Sequence, residues 1–114
     1  MRILIVDDRW EVRAGLRALL EQEPDVSVVD EAVDLDGLLA KTTNTQPDAI
    51  LLDWGFDTMS GSETLGRLRP LCPKARIIVL SVRQEVRDLA FECGADGFVL
   101  KGDLAETVLA EIRG

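Results

Sequence analysis

The 114-residue chain contains no histidine and no tyrosine, and its only aromatic residues are three Phe and two Trp. Without histidine, imidazole is excluded as a base, as a phosphate carrier and as a metal ligand. A bound metal would therefore need oxygen ligands, which favours hard ions such as Mg²⁺, Mn²⁺ or Ca²⁺.

Cysteine and long apolar runs are also scarce. Cys72 and Cys93 are the only cysteines, and they are not spaced as a CxxC motif. No run reaches the roughly 18 apolar residues of a membrane span, and the apolar start ends at Asp7, too early for a secretory segment. We expect a cytoplasmic protein that makes no membrane contact and keeps its thiols reduced.

The chain has few basic residues, with 13 Lys+Arg against 21 Asp+Glu and a formal charge of −8. This balance argues against direct nucleic-acid binding, because such affinity comes mostly from Lys and Arg at phosphates. At 46% hydrophobic residues, the composition is too apolar for a disordered chain. The length predicts a single domain over residues 1–114.

Five short apolar runs, rich in β-branched residues, recur along the chain. They are Ile3–Val6, Val26–Val29, Ala49–Leu52, Ile77–Leu80 and Phe98–Leu100. Most are continuously apolar rather than alternating, which is typical of strands covered on both faces in a parallel sheet.

Amphipathic segments separate these runs. Leucine and valine spacing predicts helices over 12–20, 35–39, 65–71, 86–93 and 104–112. Asp34, Ser60 and Asp103 are candidate N-caps, and Gly94 is expected to end the fourth helix. Five alternating βα units predict an α/β fold, a doubly wound three-layer (βα)5 sandwich with strand order 2-1-3-4-5.

Polar side chains follow four of the five predicted strands. Asp7 and Asp8 follow strand 1, Asp53 follows strand 3, Ser81 strand 4 and Lys101 strand 5. The carboxyl ends of parallel strands share one sheet edge, where ligands bind at the point of reversed strand order. These five side chains are therefore expected to converge.

The five side chains together are suited to binding a metal ion and an anion. Crowded carboxylates repel one another, and a divalent cation would compensate their charge. A lysine and a hydroxyl beside them suit an anion, and together they predict a site for a phosphoryl group. Taken singly, Asp8 or Ser81 could cap a helix, while Asp53 and Lys101 could be solvated loop residues; their joint placement favours the functional interpretation.

The sequence resembles the receiver domain of two-component response regulators over its whole length. The matching segments are ILIVDD at 3–8, DAILLD at 48–53, IIVLS at 77–81 and GADGFVLK at 94–101. The motif GADGF at 94–98 resembles that of the NarL/LuxR branch, whose members often carry a helix-turn-helix output domain. The resemblance implies a flavodoxin-like fold and a regulatory domain rather than an enzyme.

The resemblance also implies residue roles. Asp53 would be the phosphoacceptor, and Lys101 and Ser81 would contact phosphoryl oxygens. Mg²⁺, or Mn²⁺ in its place, would be held by Asp8, Asp53 and the backbone carbonyl of Gly55, with Asp7 supporting it.

A conformational switch follows from the same resemblance. Ser81 would move inward on phosphorylation and make room for Phe98, which changes the surface around helix 4, strand 5 and helix 5. The implied partners are a histidine kinase, an output domain or downstream protein, and a second copy in a phosphorylation-dependent dimer. Asp57 departs from the family pattern, which usually has proline there; it is a solvated loop residue or one that alters metal affinity.

Three other functions stay open at the level of sequence. A degenerate receiver would signal by protein contacts without phosphate. A Mg²⁺-dependent phosphatase would use an aspartyl nucleophile after strand 1, although such enzymes usually show Asp-x-Asp where this chain has Asp7-Asp8-Arg9. An FMN-binding carrier would need a hydroxyl- and glycine-rich phosphate loop there, whereas two carboxylates repel phosphate.

Overall fold

The computed structural model describes residues 1–55, 60–102 and 106–114. The strands are β1 (Arg2–Val6), β2 (Ser27–Ala32), β3 (Ala49–Asp53), β4 (Arg76–Ser81) and β5 (Gly97–Leu100). The helices are α1 (Trp10–Leu20), α2 (Leu35–Thr45), α3 (Gly61–Leu68), α4 (Val86–Glu92) and α5 (Glu106–Arg113), and a 3₁₀ turn spans Arg69–Leu71.

The five strands form one parallel sheet in the order β2-β1-β3-β4-β5, which confirms the predicted fold. β1 and β3 are neighbours, with Val6 paired to Leu52, and β3 continues beside β4, with Asp53 paired to Leu80. The reversal of strand order therefore lies between β1 and β3, where Asp8 lies just after β1 and Asp53 ends β3.

Each face of the sheet carries its own apolar core. Leu4 and Val6 of β1 belong to the core that includes buried residues of α2, α3 and α4. Ile3 and Ile5 belong to the opposite core, shared with α1 and α5. Because successive strand residues point to opposite faces, covering both faces requires a continuously apolar strand.

Helix ends agree with the sequence in several places. The Asp34 side chain accepts a hydrogen bond from the Gly37 N–H at 2.7 Å, and Ser60 caps α3 by accepting from the Glu63 N–H at 3.2 Å. Gly94 follows α4 with φ of 105°, a left-handed conformation that favours glycine.

Other boundaries differ from the prediction. α3 ends at Leu68, and the segment predicted to continue as helix forms the 3₁₀ turn that contains Pro70, a residue that cannot donate a backbone hydrogen bond. β2 extends to Ala32 because its pairing with β1 continues to Val6. Asp103, the predicted cap of the fifth helix, lies outside the described residues.

Candidate functional site

Three carboxylates converge at the carboxyl edge of the sheet. Asp7 and Asp8 follow β1, and Asp53 is the last residue of β3. One carboxylate oxygen from each lies within 4.8 Å of the others. The adjacency of β1 and β3 produces this cluster, as their positions in the sequence predicted.

Asp7 is the innermost of the three, with no exposed surface. Its Oδ1 accepts a hydrogen bond from the Arg9 N–H at 2.9 Å, and its Oδ2 accepts one from Lys101 Nζ at 2.9 Å. Both oxygens thus have donors within the protein, which suits a supporting role. Asp8 is exposed and presents its carboxylate to solvent.

Lys101, which follows β5, pairs with carboxylates at the ends of β1 and β3. Its Nζ lies 2.7 Å from Asp53 Oδ1 and also pairs with Asp7, while its backbone N–H donates to the Ser81 carbonyl at 2.8 Å. Burial lowers the pKa of Lys101, but the hydrogen bonds to Asp53 and Asp7 outweigh that effect and raise it above its ordinary value. The ammonium therefore stays charged near neutral pH.

Asp53 is a half-buried carboxylate whose pKa is raised. Burial raises it most; the hydrogen bond from Lys101 opposes the shift, and the charges of Asp7 and Asp8 add to it. The ionised form of Asp53 is therefore disfavoured, mainly by burial, and a further cation there would favour it.

Ser81 and Phe98 lie on the neighbouring strands. Ser81 ends β4, is buried, and accepts a hydrogen bond on Oγ from the Arg83 N–H at 3.0 Å. It does not cap α4, whose N-cap is Glu85. Phe98 is buried in β5 within the core that faces α2 to α4. The switching roles of both residues stay predictions, as does metal binding by the Gly55 carbonyl.

Two tryptophans lie near the acidic cluster in the sequence. Trp10 begins α1 and is 70% exposed, whereas Trp54 directly follows Asp53 and packs against the core. Asp57, the departure from the family pattern, lies outside the described residues.

Sequence reasoning missed Arg13. Its Nη1 donates to the Asp7 carbonyl at 2.9 Å, and its Nε pairs with Glu31 Oε1 at 2.9 Å. The available signal was the spacing of Arg13 and Arg17, which places two cations on one face of α1 next to the acidic end of β2.

Comparison with known proteins identifies the family. The sequence model of the response regulator receiver domain matches residues 3–113. The chain belongs to this family. The receiver domain is the regulatory module of two-component response regulators, and this membership favours the receiver interpretation over the phosphatase and the flavin carrier.

Individual relatives place the receiver domain in the NarL/LuxR branch, as predicted. It is 38% identical over 113 residues to the nitrate/nitrite response regulator protein NarL of Escherichia coli (strain K12), covering 97% of this chain and 52% of that protein. It is 39% identical over 114 residues to NarP of the same strain, covering 98% and 53%. The chain thus spans about half the length of the curated relatives it matches.

Solved structures agree with this placement. A LuxR-family two-component response regulator from Aurantimonas sp. SI85-9A1 superposes with a TM-score of 0.87 at 32% identity, covering 96% of this chain and 79% of that one. The signal receiver domain of the putative NarL of Mycobacterium tuberculosis gives 0.85 at 28% identity, covering 99% and 96%. Together with the sheet order, they confirm the flavodoxin-like fold.

Among residues 1–55, 60–102 and 106–114, none of the helices combines the length and the apolar character that a membrane span requires.

Proposed function

We propose that Asp53 is the phosphoacceptor of this receiver domain and takes its phosphoryl group from the phosphohistidine of a histidine kinase. The observation that supports this most strongly is the position of Lys101, whose Nζ lies 2.7 Å from Asp53 Oδ1 within a cluster of three carboxylates. A half-buried carboxylate beside a fixed cation has the two groups that phosphoryl transfer needs, a nucleophile and a counter-charge.

The phosphoryl group passes directly from the partner's imidazole to Asp53. A carboxylate oxygen of Asp53 attacks the phosphorus, the phosphorus–nitrogen bond to the partner's imidazole breaks, and its electron pair returns to that nitrogen. The product on this chain is an acyl phosphate. Lys101 then pairs with one phosphoryl oxygen, and the Ser81 hydroxyl donates a hydrogen bond to another.

The acidic cluster fits a hard divalent cation. Its donors are all oxygens, Asp8 is exposed at the surface, and burial together with the charges of Asp7 and Asp8 raises the pKa of Asp53, an effect that a bound cation would oppose. We propose that Asp8, Asp53 and the Gly55 carbonyl hold Mg²⁺, or Mn²⁺, with Asp7 supporting the site. The ion would neutralise charge on the transferring phosphoryl oxygens.

Phosphorylation is proposed to act as a switch through Ser81 and Phe98. A new dianion at Asp53 attracts the Ser81 hydroxyl, and displacement of Ser81 leaves space that Phe98 fills from β5. The surface around α4, β5 and α5 would then change its affinity for an output domain, a downstream protein or a second copy. We place this single domain, residues 1–114, in the cytoplasm, without direct nucleic-acid contact of its own.

The test is chemical phosphorylation of the purified chain with acetyl phosphate and Mg²⁺. Intact-mass spectrometry should show one added phosphoryl group, and Trp fluorescence should respond because Trp54 adjoins Asp53. Asp53→Asn should abolish both responses, while Asp88→Asn, at an exposed position on α4, should leave them intact. Absence of phosphate on the unaltered chain would instead favour a degenerate receiver that signals by contacts alone.

A further inference from the structure

Arg13 connects the receiver site to the edge strand of the sheet. The side chain leaves α1 and donates from Nη1 to the Asp7 carbonyl at 2.9 Å and from Nε to Glu31 Oε1 at 2.9 Å. It is only 16% exposed. A planar guanidinium held at two ends loses most of its freedom, so its position is well defined.

Glu31 is itself held from several sides. Its Oε2 accepts from Arg17 Nε at 2.8 Å, its backbone N–H donates to Asp30 Oδ1 at 2.8 Å, and its carbonyl accepts from Lys41 Nζ. Arg13 therefore has a rigid anchor on β2, and Arg17 shares that anchor without touching Asp7.

Arg13 donates to the carbonyl of the peptide group between Asp7 and Asp8. Asp7 donates its own backbone N–H to the Ala32 carbonyl at 3.2 Å, and its Oδ1 accepts from the Arg9 N–H. With the Arg13 contact to the carbonyl, Asp7 is held at its backbone N–H, its side chain and its carbonyl. The orientation of this peptide determines where Asp8 leaves the sheet edge.

We propose that Arg13 is a positioning residue of the receiver site: its hydrogen bond to the Asp7 carbonyl fixes the Asp7–Asp8 peptide, so that Asp8 can bind Mg²⁺ together with Asp53. The inference rests on the proposed function. Outer groups that orient metal ligands commonly change metal affinity by about 10- to 100-fold when they are removed.

The test compares Arg13→Ala with Arg17→Ala, because each removes one ion pair to Glu31 and only the first removes a contact to Asp7. Mg²⁺ affinity is measured by titration calorimetry with the metal alone. Arg13→Ala should weaken it roughly tenfold or more, and Arg17→Ala should change it less than twofold. In the metal-free protein, the Asp8 amide resonance should move in Arg13→Ala and stay in place in Arg17→Ala.

Arg13→Lys is the second variant, since it keeps a donor and a charge and should recover part of the affinity even if the alanine variant folds poorly. Equal effects of Arg13→Ala and Arg17→Ala, or normal affinity in Arg13→Ala, would overturn the positioning role. If those results occur in a chain that acetyl phosphate still phosphorylates at Asp53, the proposed function stands. If the unaltered chain neither binds Mg²⁺ nor accepts phosphate, both proposals fail.

Discussion

Gly61 and Trp54 are in direct contact, with the Cα of the glycine facing the indole ring. A Cβ at position 61 would lie 2.4 Å from Cη2 of Trp54, closer than two non-bonded carbon atoms can approach. Because Trp54 follows Asp53 and Gly61 begins α3, this contact brings the start of that helix against the residue beside the proposed phosphoacceptor.

Gly61→Ala is therefore expected to displace Trp54 or the first turn of α3. Overpacking of this kind costs about 1–3 kcal/mol of unfolding free energy. Gly66→Ala in the same helix is the matched control, since a Cβ there meets no atom within 4 Å and alanine favours helix by about 1 kcal/mol. Urea unfolding monitored by Trp fluorescence should shift in opposite directions for the two variants; a shared direction would contradict the close contact.

Asp53→Asn is expected to stabilise the metal-free protein near pH 7. Burial, with the charges of Asp7 and Asp8, holds the pKa of the Asp53 carboxyl above its ordinary range, despite the ion pair with Lys101. A carboxyl whose pKa is higher in the folded than in the unfolded state lowers stability at pH values above both pKa values. Asparagine removes that penalty, and Lys101 keeps Asp7 as a partner.

The gain from Asp53→Asn should therefore shrink as the pH falls through the folded pKa and disappear below the ordinary value of 3.8, where the folded and unfolded states both bind the proton. Thermal melting in EDTA across this range measures it. Asp88→Asn, an exposed change on α4, controls for the loss of one negative charge. A gain that grows on acidification would show that the pKa of Asp53 is lowered in the fold.

Asp96→Ala is expected to lower the free energy of unfolding more than most substitutions of polar residues. Asp96 Oδ2 accepts hydrogen bonds from the Ile77 N–H at 2.9 Å and from Arg69 Nη2 at 2.7 Å. The alanine variant leaves the part-buried Ile77 N–H without this acceptor, which costs about 1–3 kcal/mol, whereas Arg69 keeps its hydrogen bond to the Gly94 carbonyl. Asp88→Ala provides the control, and chemical denaturation should separate the two by more than 1 kcal/mol; equal midpoints would show that water replaces the Asp96 carboxylate without loss.

The two cysteines should differ in reactivity. Cys72 is buried, and burial raises the pKa of its thiol despite the nearby Arg69, whereas Cys93 is partly exposed. Since the thiolate is the reactive form, iodoacetamide should modify Cys93 first in the native protein. Cys93→Ser leaves only the buried thiol and should react slowly until denaturant is added, and Cys72→Ser should keep the fast reaction. Rapid modification of Cys72 in the native state would contradict its burial.

The strands were predictable because four of the five, β1, β3, β4 and β5, are mostly buried on both faces, a requirement that acts directly on composition. The convergence of Asp8 and Asp53 then follows from neighbouring strands in a parallel sheet. Neither inference needs side-chain geometry, and both agree with the structure.

Other features depend on partners that are distant in sequence. The GADGF segment indicated a family branch, but the hydrogen bonds that the Asp96 carboxylate accepts from β4 and from Arg69 appear only once the strands are assembled. The link from Arg13 to Glu31 is of the same kind. Leucines at 65, 68 and 71 fit both a longer helix and a helix followed by a 3₁₀ turn, so spacing alone could not place the end of α3.

The ion pair between Lys101 and Asp7 joins residues separated by 94 positions, and Asp7 is wholly buried beside it. During synthesis, β1 and Asp7 emerge from the ribosome long before Lys101, whose ammonium neutralises the Asp7 carboxylate. A nascent chain that stops before β5 would have to leave that carboxylate hydrated, because burying it unpaired is costly. Burial of Asp7 at the end of β1 therefore depends on a lysine that follows β5, the last strand.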